Sequence, residues 1–210
     1  MSVERFVREL CLLQFENAFN PYSDICEVYD YYDAPKKRRL LLKRMLQEAS
    51  QVKVDSIWIG RDLGYRGGRR TGLALTDDVH LVNHASRWGI ECGKLTKGDA
   101  VSERTAAVIW SILSQISASV FLWNVFPLHP YEEGAPFSNR THNPKERAAG
   151  EEILEALIEL LEPKRLVAVG NDAERTAKKL AGGKEVIKVR HPSYGGHNTF
   201  ISQMKSLYNL

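Results

Sequence analysis

Four short runs of apolar, β-branched or aromatic residues constrain this chain more than anything else in it: Asp55 to Ile59, Val120 to Trp123, Arg165 to Val169 and Glu185 to Val189. Ile57-Trp58-Ile59 and Phe121-Leu122-Trp123 carry no polar residue at alternate positions. A strand with one face in water alternates; an unbroken apolar strand needs both faces covered, the condition of a parallel sheet under helices on each side. Helical spacing of apolar residues fills the intervals, over Val101 to Ile116, Lys145 to Leu161 and Asp172 to Leu180. Two further helices are expected before the first strand, Val3 to Phe15 and Pro35 to Glu48, the second with its proline in the first turn. The expected fold class is α/β, a three-layer α/β/α sandwich with a central, mostly parallel four-stranded sheet. With 210 residues, no repeat and no low-complexity linker, residues 1–210 are expected to form a single domain.

Such a sheet says where to look for chemistry. Ligands bind beyond the carboxyl ends of the strands, where the connecting loops converge. Three of these loops hold unusual residues: Gly60 to Thr76, Asn124 to Asn139 and Arg190 to Asn198. The first has five glycines between Gly60 and Gly72, which let a backbone approach a ligand closely. It has neither the Gly-Lys-Ser/Thr of a phosphate loop nor the glycine spacing of a dinucleotide fold, so a nucleotide cofactor is not expected. Cys11, Cys26 and Cys92 are far apart and form no Cys-x-x-Cys pair, which leaves no metal site and makes free thiols the expectation.

Charge is permissive. Lys and Arg number 29 against 26 Asp and Glu, a net charge of +3 that allows a nucleic-acid partner without requiring one. The basic run Lys36, Lys37, Arg38, Arg39, Lys43 and Arg44 reads as a solvated helix face and takes no role. The absence of a leader pattern or an apolar stretch of about 18 residues points to a cytoplasmic protein with no membrane partner.

Taken in order, the three loops resemble the active-site motifs of the uracil-DNA glycosylase superfamily. Gly60 and Asp62 match the start of a motif whose best-known form is Gly-Gln-Asp-Pro-Tyr, and Gly72-Leu73-Ala74-Leu75 falls at the spacing of its Gly-Leu-Ala-Phe continuation. Leu122-Trp123-Asn124-Val125-Phe126-Pro127 is similar to the base-recognition segment, and His191-Pro192-Ser193 matches the second active-site motif. The likeness runs from about Val54 to Met204.

The resemblance implies a set of roles. Asp62 would position the attacking water and stabilise positive charge on the sugar; as a bare residue it could equally brace a turn. Asn124 would read the edge of a flipped base, and His191 would hydrogen-bond its 2-carbonyl. Gly64 and Leu75 stand where the best-known family members have Tyr and Phe, so a wider pocket is expected, one that accepts a 5-substituted pyrimidine such as a modified cytosine of viral DNA. Phe126 is the expected replacement for the lost stacking, and Arg66, Arg69 and Arg70 are expected at phosphates. Ser193, Tyr194 and Gly195 belong to the loop that enters DNA, with Tyr194 as candidate wedge. His129 and His142 are read as solvated.

No lysine lies in the motifs, so a Schiff base with the sugar and strand cleavage are not expected. The activity implied is monofunctional hydrolysis leaving an abasic site, without cofactor or metal, by a monomer acting on single- or double-stranded DNA in base-excision repair or phage defence. Two other classes stay open: a non-catalytic module that binds a modified base on the same fold, and a hydrolase of free nucleosides.

Overall fold

The structure, a computed structural model, describes residues 1–210. In chain order its elements are α1 (Val3–Leu12), β1 (Ala18–Phe19), α2 (Ala34–Ser50), β2 (Ser56–Asp62), α3 (Gly68–Thr71), α4 (Leu81–Ser86) and α5 (Arg104–Leu113). There follow β3 (Val120–Phe126), β4 (His129–Pro130), α6 (Pro144–Leu161), β5 (Arg165–Val169), α7 (Asn171–Leu180), β6 (Glu185–Val189) and α8 (His197–Tyr208). The four expected strands form one parallel sheet in the order β3-β2-β5-β6. Ile57 is in register with Phe121 on one side and Leu166 on the other.

Both faces of the sheet are covered, as the unbroken runs require. Ile57, Ile59, Phe121, Trp123, Leu166 and Ala168 pack under α1, α2, α6 and α7 in a core of 33 residues. Trp58, Leu122, Val167 and Val169 face α5 and α8 in a second core of 16. Each such large side chain contributes about 1.5–3 kcal/mol when fully buried. Trp58 also donates its indole N–H to the Tyr208 hydroxyl at 2.8 Å, which ties α8 to the middle of the sheet.

The topology places a crevice. The chain leaves β2 toward the α5 face and leaves β5 toward the α7 face, so the two adjacent strands part company at their carboxyl ends. Such a switch point opens a cleft that neighbouring loops line.

Helix α6 is set close against β3. Its start is a capping box: the Asn143 side chain accepts from the backbone N–H of Lys145 and Glu146, and Glu146 accepts from the Asn143 N–H at 2.7 Å. Two turns on, Gly150 lies against the Val125 carbonyl with no room for a β-carbon.

Several expectations need correction. Strands β2 and β3 run on to Asp62 and Phe126, so Gly60, Asp62 and Asn124 ride on strand ends rather than in loops. Helix α8 lies beyond the expected elements; its buried stripe is only Phe200 and Met204, too thin to stand out from a polar background. The antiparallel ribbon β1-β4 and helices α3 and α4 are too short for any periodicity. Arg38 is not on a solvated face: it is fully buried, paired with Asp30, and donates to the Arg70 carbonyl at 2.8 Å. The cysteines are free, with Cys26 buried and Cys11 and Cys92 half-buried.

Candidate active site

A cavity of about 490 Å³ opens at the switch point, within the size range of small-molecule sites. Its walls come from the end of β2 (Arg61, Asp62, Leu63, Gly64), the β5–α7 turn (Val169, Gly170, Asn171, Asp172), the residues after β6 (His191, Ser193, Tyr194), and Leu75, Glu103, Thr105, Asn139 and Arg140.

Asp62 is held from two sides. Its Oδ1 accepts the Nδ1 proton of His142 and its Oδ2 accepts from Arg61 Nε at 2.6 Å. His142 is buried, with Phe126 packed on its ring at 6.1 Å between centroids, and its Nε2 faces Asp172 Oδ2 at 3.5 Å. Asp172 in turn is paired with Arg147. The side chain expected in solvent is thus the support of the central carboxylate. His129 is buried too: its Nδ1 accepts from Arg69 at 3.0 Å and its Nε2 donates to the Ser138 carbonyl at 2.8 Å.

His191 follows β6 and stacks its β-carbon toward Gly170, where a β-carbon would stand 3.3 Å away; Gly170 itself adopts φ +95°, which a side chain would oppose. The Ser193 backbone N–H donates to His191 Nδ1 at 3.1 Å, so the ring carries its proton on Nε2. Burial, then the charges of Arg61 and Arg190, push its pKa down to about 4. At neutral pH it is an uncharged donor at the cavity wall.

Asn124 is 1% exposed and does not line the cavity, and neither atom of its carboxamide has a partner. It sits across from Gly60 in register, so close that no β-carbon fits there, beside Leu75. Leu75 holds φ +54°, a region that costs a leucine about 1–2 kcal/mol, and lines the cavity.

The structure divides the remaining expected residues. Arg66 is exposed, near enough for its charge to act on Glu103. Tyr194 is 99% exposed at φ +52°, followed by Gly195 at φ +74°, so the loop tip presents a bare ring. Arg69 and Arg70, expected at phosphates, are 4% and 7% exposed and engaged inside. Arg69 lies over Phe19 at 3.8 Å and bonds Tyr29 and His129; Arg70 pairs with Asp78 at 2.6 Å and reaches Thr96. Phe126 is fully buried against Phe15 and His142 and does not line the cavity, so it cannot stack on a ligand there.

The space expected beside Gly64 is not empty. Glu103 Oε1 lies 2.9 Å from where a β-carbon on residue 64 would stand. Burial, then repulsion from Asp77, against a weaker pull from Arg66, raise the Glu103 pKa to about 7. Sequence reasoning missed Glu103 because an acidic residue just ahead of an apolar helix is commonplace. It missed the role of His142 because nothing in a Pro- and Asn-rich segment signals burial.

A model of the uracil DNA glycosylase superfamily matches residues 41–209. This chain belongs to that superfamily. As a member it is an enzyme of the DNA glycosylase type, from a family that binds DNA. Its fold is shared with the crystal structure of wild-type SMUG2 from Pedobacter heparinus, at a TM-score of 0.63 and 14% identity over 99% of this chain and 98% of that one. A tyrosine-to-glycine mutant of UNG from Nitratifractor salsuginis aligns at a TM-score of 0.44 and 16% identity, over 99% of this chain and 95% of that one. No curated protein matches. No helix of this family member is long and apolar enough to cross a membrane.

Proposed function

We propose that the enzyme hydrolyses the N-glycosidic bond of a pyrimidine flipped out of DNA, either uracil or a pyrimidine substituted at the 5-position, and leaves an abasic site. One observation carries this reading: Asp62 and a neutral, Nε2-protonated His191, delivered by different strand ends, line the same cavity. Water held by Asp62 adds to C1′ of the sugar, its proton passing to the Asp62 carboxylate and on to solvent, while the bond to the base nitrogen breaks. The positive charge that grows on the sugar is offset by the fixed carboxylate, which His142 and Arg61 keep in place. The electron pair leaves with the base, and the Nε2–H of His191 donates to the carbonyl where that charge collects.

Asn124 supplies recognition once the wall in front of it moves aside to admit the base. An unpartnered buried polar group costs about 1–3 kcal/mol, and a base edge offering both donor and acceptor would satisfy the two ends of its amide. Leu75 is the wall against which the base rests. Arg66 meets phosphate, and Ser193, Tyr194 and Gly195 approach the strand with Tyr194 in the gap left by the flipped nucleotide. Residues 1–210 act as one domain and as a monomer in the cytoplasm, in base-excision repair or in defence against phage DNA with modified bases.

The test is incubation of the protein and of Asp62→Ala with uracil-containing oligonucleotides and with phage DNA carrying 5-substituted cytosines, scoring alkali-labile sites. Abasic sites made by the unaltered protein alone are expected. Binding without cleavage on every substrate would replace the enzyme with a module that only recognises a modified base.

A further inference from the structure

Three carboxylates line the cavity, and two are committed. Asp62 is held by His142 and Arg61, and Asp172 by Arg147. Glu103 is different: only its backbone is tied, its N–H donating to Asp77 Oδ2 at 2.7 Å at the start of α5, while no group of the protein takes up its carboxyl oxygens. The side chain is led into the cavity across two glycines. A β-carbon on residue 64 would stand 2.9 Å from Oε1, and one on residue 67 would collide with Oε2. The turn is thus built without side chains where this carboxyl passes.

Two hydroxyls line the same cavity. Thr105, two residues along the chain, places its Oγ1 3.3 Å from Ser193 Oγ. A hydroxyl both gives and takes a hydrogen bond, and a carboxyl that titrates at about 7 does the same near neutrality. These groups of the cavity wall therefore match a ligand part that also gives and takes. An apolar methyl placed there would strip water from these groups and return nothing. The cavity, at about 490 Å³, has room beyond one pyrimidine ring.

We propose that Glu103 is a specificity-determining residue which, with Thr105 and Ser193, hydrogen-bonds a hydroxyl-bearing substituent on the flipped base. This rests on the glycosylase reading above. Such a site rejects an apolar substituent of equal size, because the loss of paired groups discriminates far more strongly than the gain of a methyl contact.

The experiment compares oligonucleotides that carry 5-methylcytosine, 5-hydroxymethylcytosine or its glucosylated form at one position, with uracil as reference, for the wild type, Glu103→Ala and Glu103→Gln. The ratio of kcat/KM for the hydroxyl-bearing bases over uracil is expected to fall at least tenfold in Glu103→Ala. Glu103→Gln, which keeps a donor and an acceptor in place, should stay within threefold of wild type. Gly64→Ala, which pushes the carboxyl aside without touching it chemically, should lower the same ratio. Equal losses on all bases, or an unchanged ratio, overturn the proposal. If the wild type excises none of them, the glycosylase reading fails, and equilibrium binding of the same oligonucleotides decides Glu103 separately. A tenfold loss in Glu103→Ala confined to hydroxyl-bearing bases supports its role, and equal binding ends it.

Discussion

The Asp62 carboxylate accepts the Nδ1 proton of His142, a residue 80 positions further along the chain. Removing that donor leaves Asp62 to Arg61 alone, a partner whose side chain is 45% exposed. His142→Ala is expected to lower kcat about 10–100-fold with little change in KM, in the manner of lost support behind a reacting group. Single-turnover excision measured beside a melting curve separates this from a folding defect. An unchanged kcat in a stable variant would remove His142 from the mechanism.

His191→Ala is expected to reduce kcat about 10²–10³-fold, the usual consequence of losing one donor aimed at developing negative charge. Because its pKa is pushed down to about 4, the ring stays neutral throughout the working range. The acid limb of the pH–rate profile should therefore not show a titration near the ordinary histidine value of 6.5 that disappears in this variant. Such a titration would mean that the cation, not the neutral ring, is the active form.

The two arginine environments separate experimentally. Arg69→Ala removes a guanidinium stacked on Phe19 and leaves Tyr29 and His129 without their partner, so stability should fall by about 3 kcal/mol. Arg66→Ala should leave the melting temperature in place and weaken DNA binding, with the salt slope reduced by about 1. Denaturant titration and binding at several salt concentrations measure both, and the opposite pattern would return Arg69 to the DNA surface.

Acid should unfold the protein early. His84, His129 and His191 are all pushed down, to about 3, 4 and 4, each chiefly by burial. From pH 6.5 downward the unfolded chain takes up protons that the folded chain refuses, so unfolding gains ground as pH falls through that window. A loss of several kcal/mol between about pH 7 and about pH 4.5 is expected in chemical denaturation, and His129→Phe should flatten the curve. A profile level across that range contradicts the burial of these rings.

Glu103 has the reverse sign of dependence. Its folded pKa of about 7 lies above the ordinary 4.5, so its contribution is intact below pH 4.5 and is lost as pH rises through 7. Glu103→Gln should then stabilise the protein at about pH 8 by on the order of 2 kcal/mol and not at about pH 4.5. Equal melting temperatures under the alkaline condition would show a carboxyl already solvated.

Much of this was legible in the residues. Unbroken runs such as Ile57-Trp58-Ile59 can only be buried on both faces, which gives the parallel sheet, and the sheet in turn gives the edge where Asp62 and His191 meet. What escaped is what depends on distant partners. Whether an arginine is solvated or stacked depends on Phe19 and Tyr29, some forty to fifty positions before Arg69, and no local pattern reports it. Likewise Gly64 reads as added space until Glu103, brought in by the pin on Asp77, is seen to occupy it.

The closeness of Gly150 to the Val125 carbonyl reaches further than packing. It sets how deep α6 sits on β3, and the capped end of that helix carries His142 to Asp62. Gly64, Leu75, Glu103 and Thr105, which line the cavity, are supplied by other segments. A substitution at residue 150 would therefore reach Asp62 through His142 while leaving those other wall residues in place.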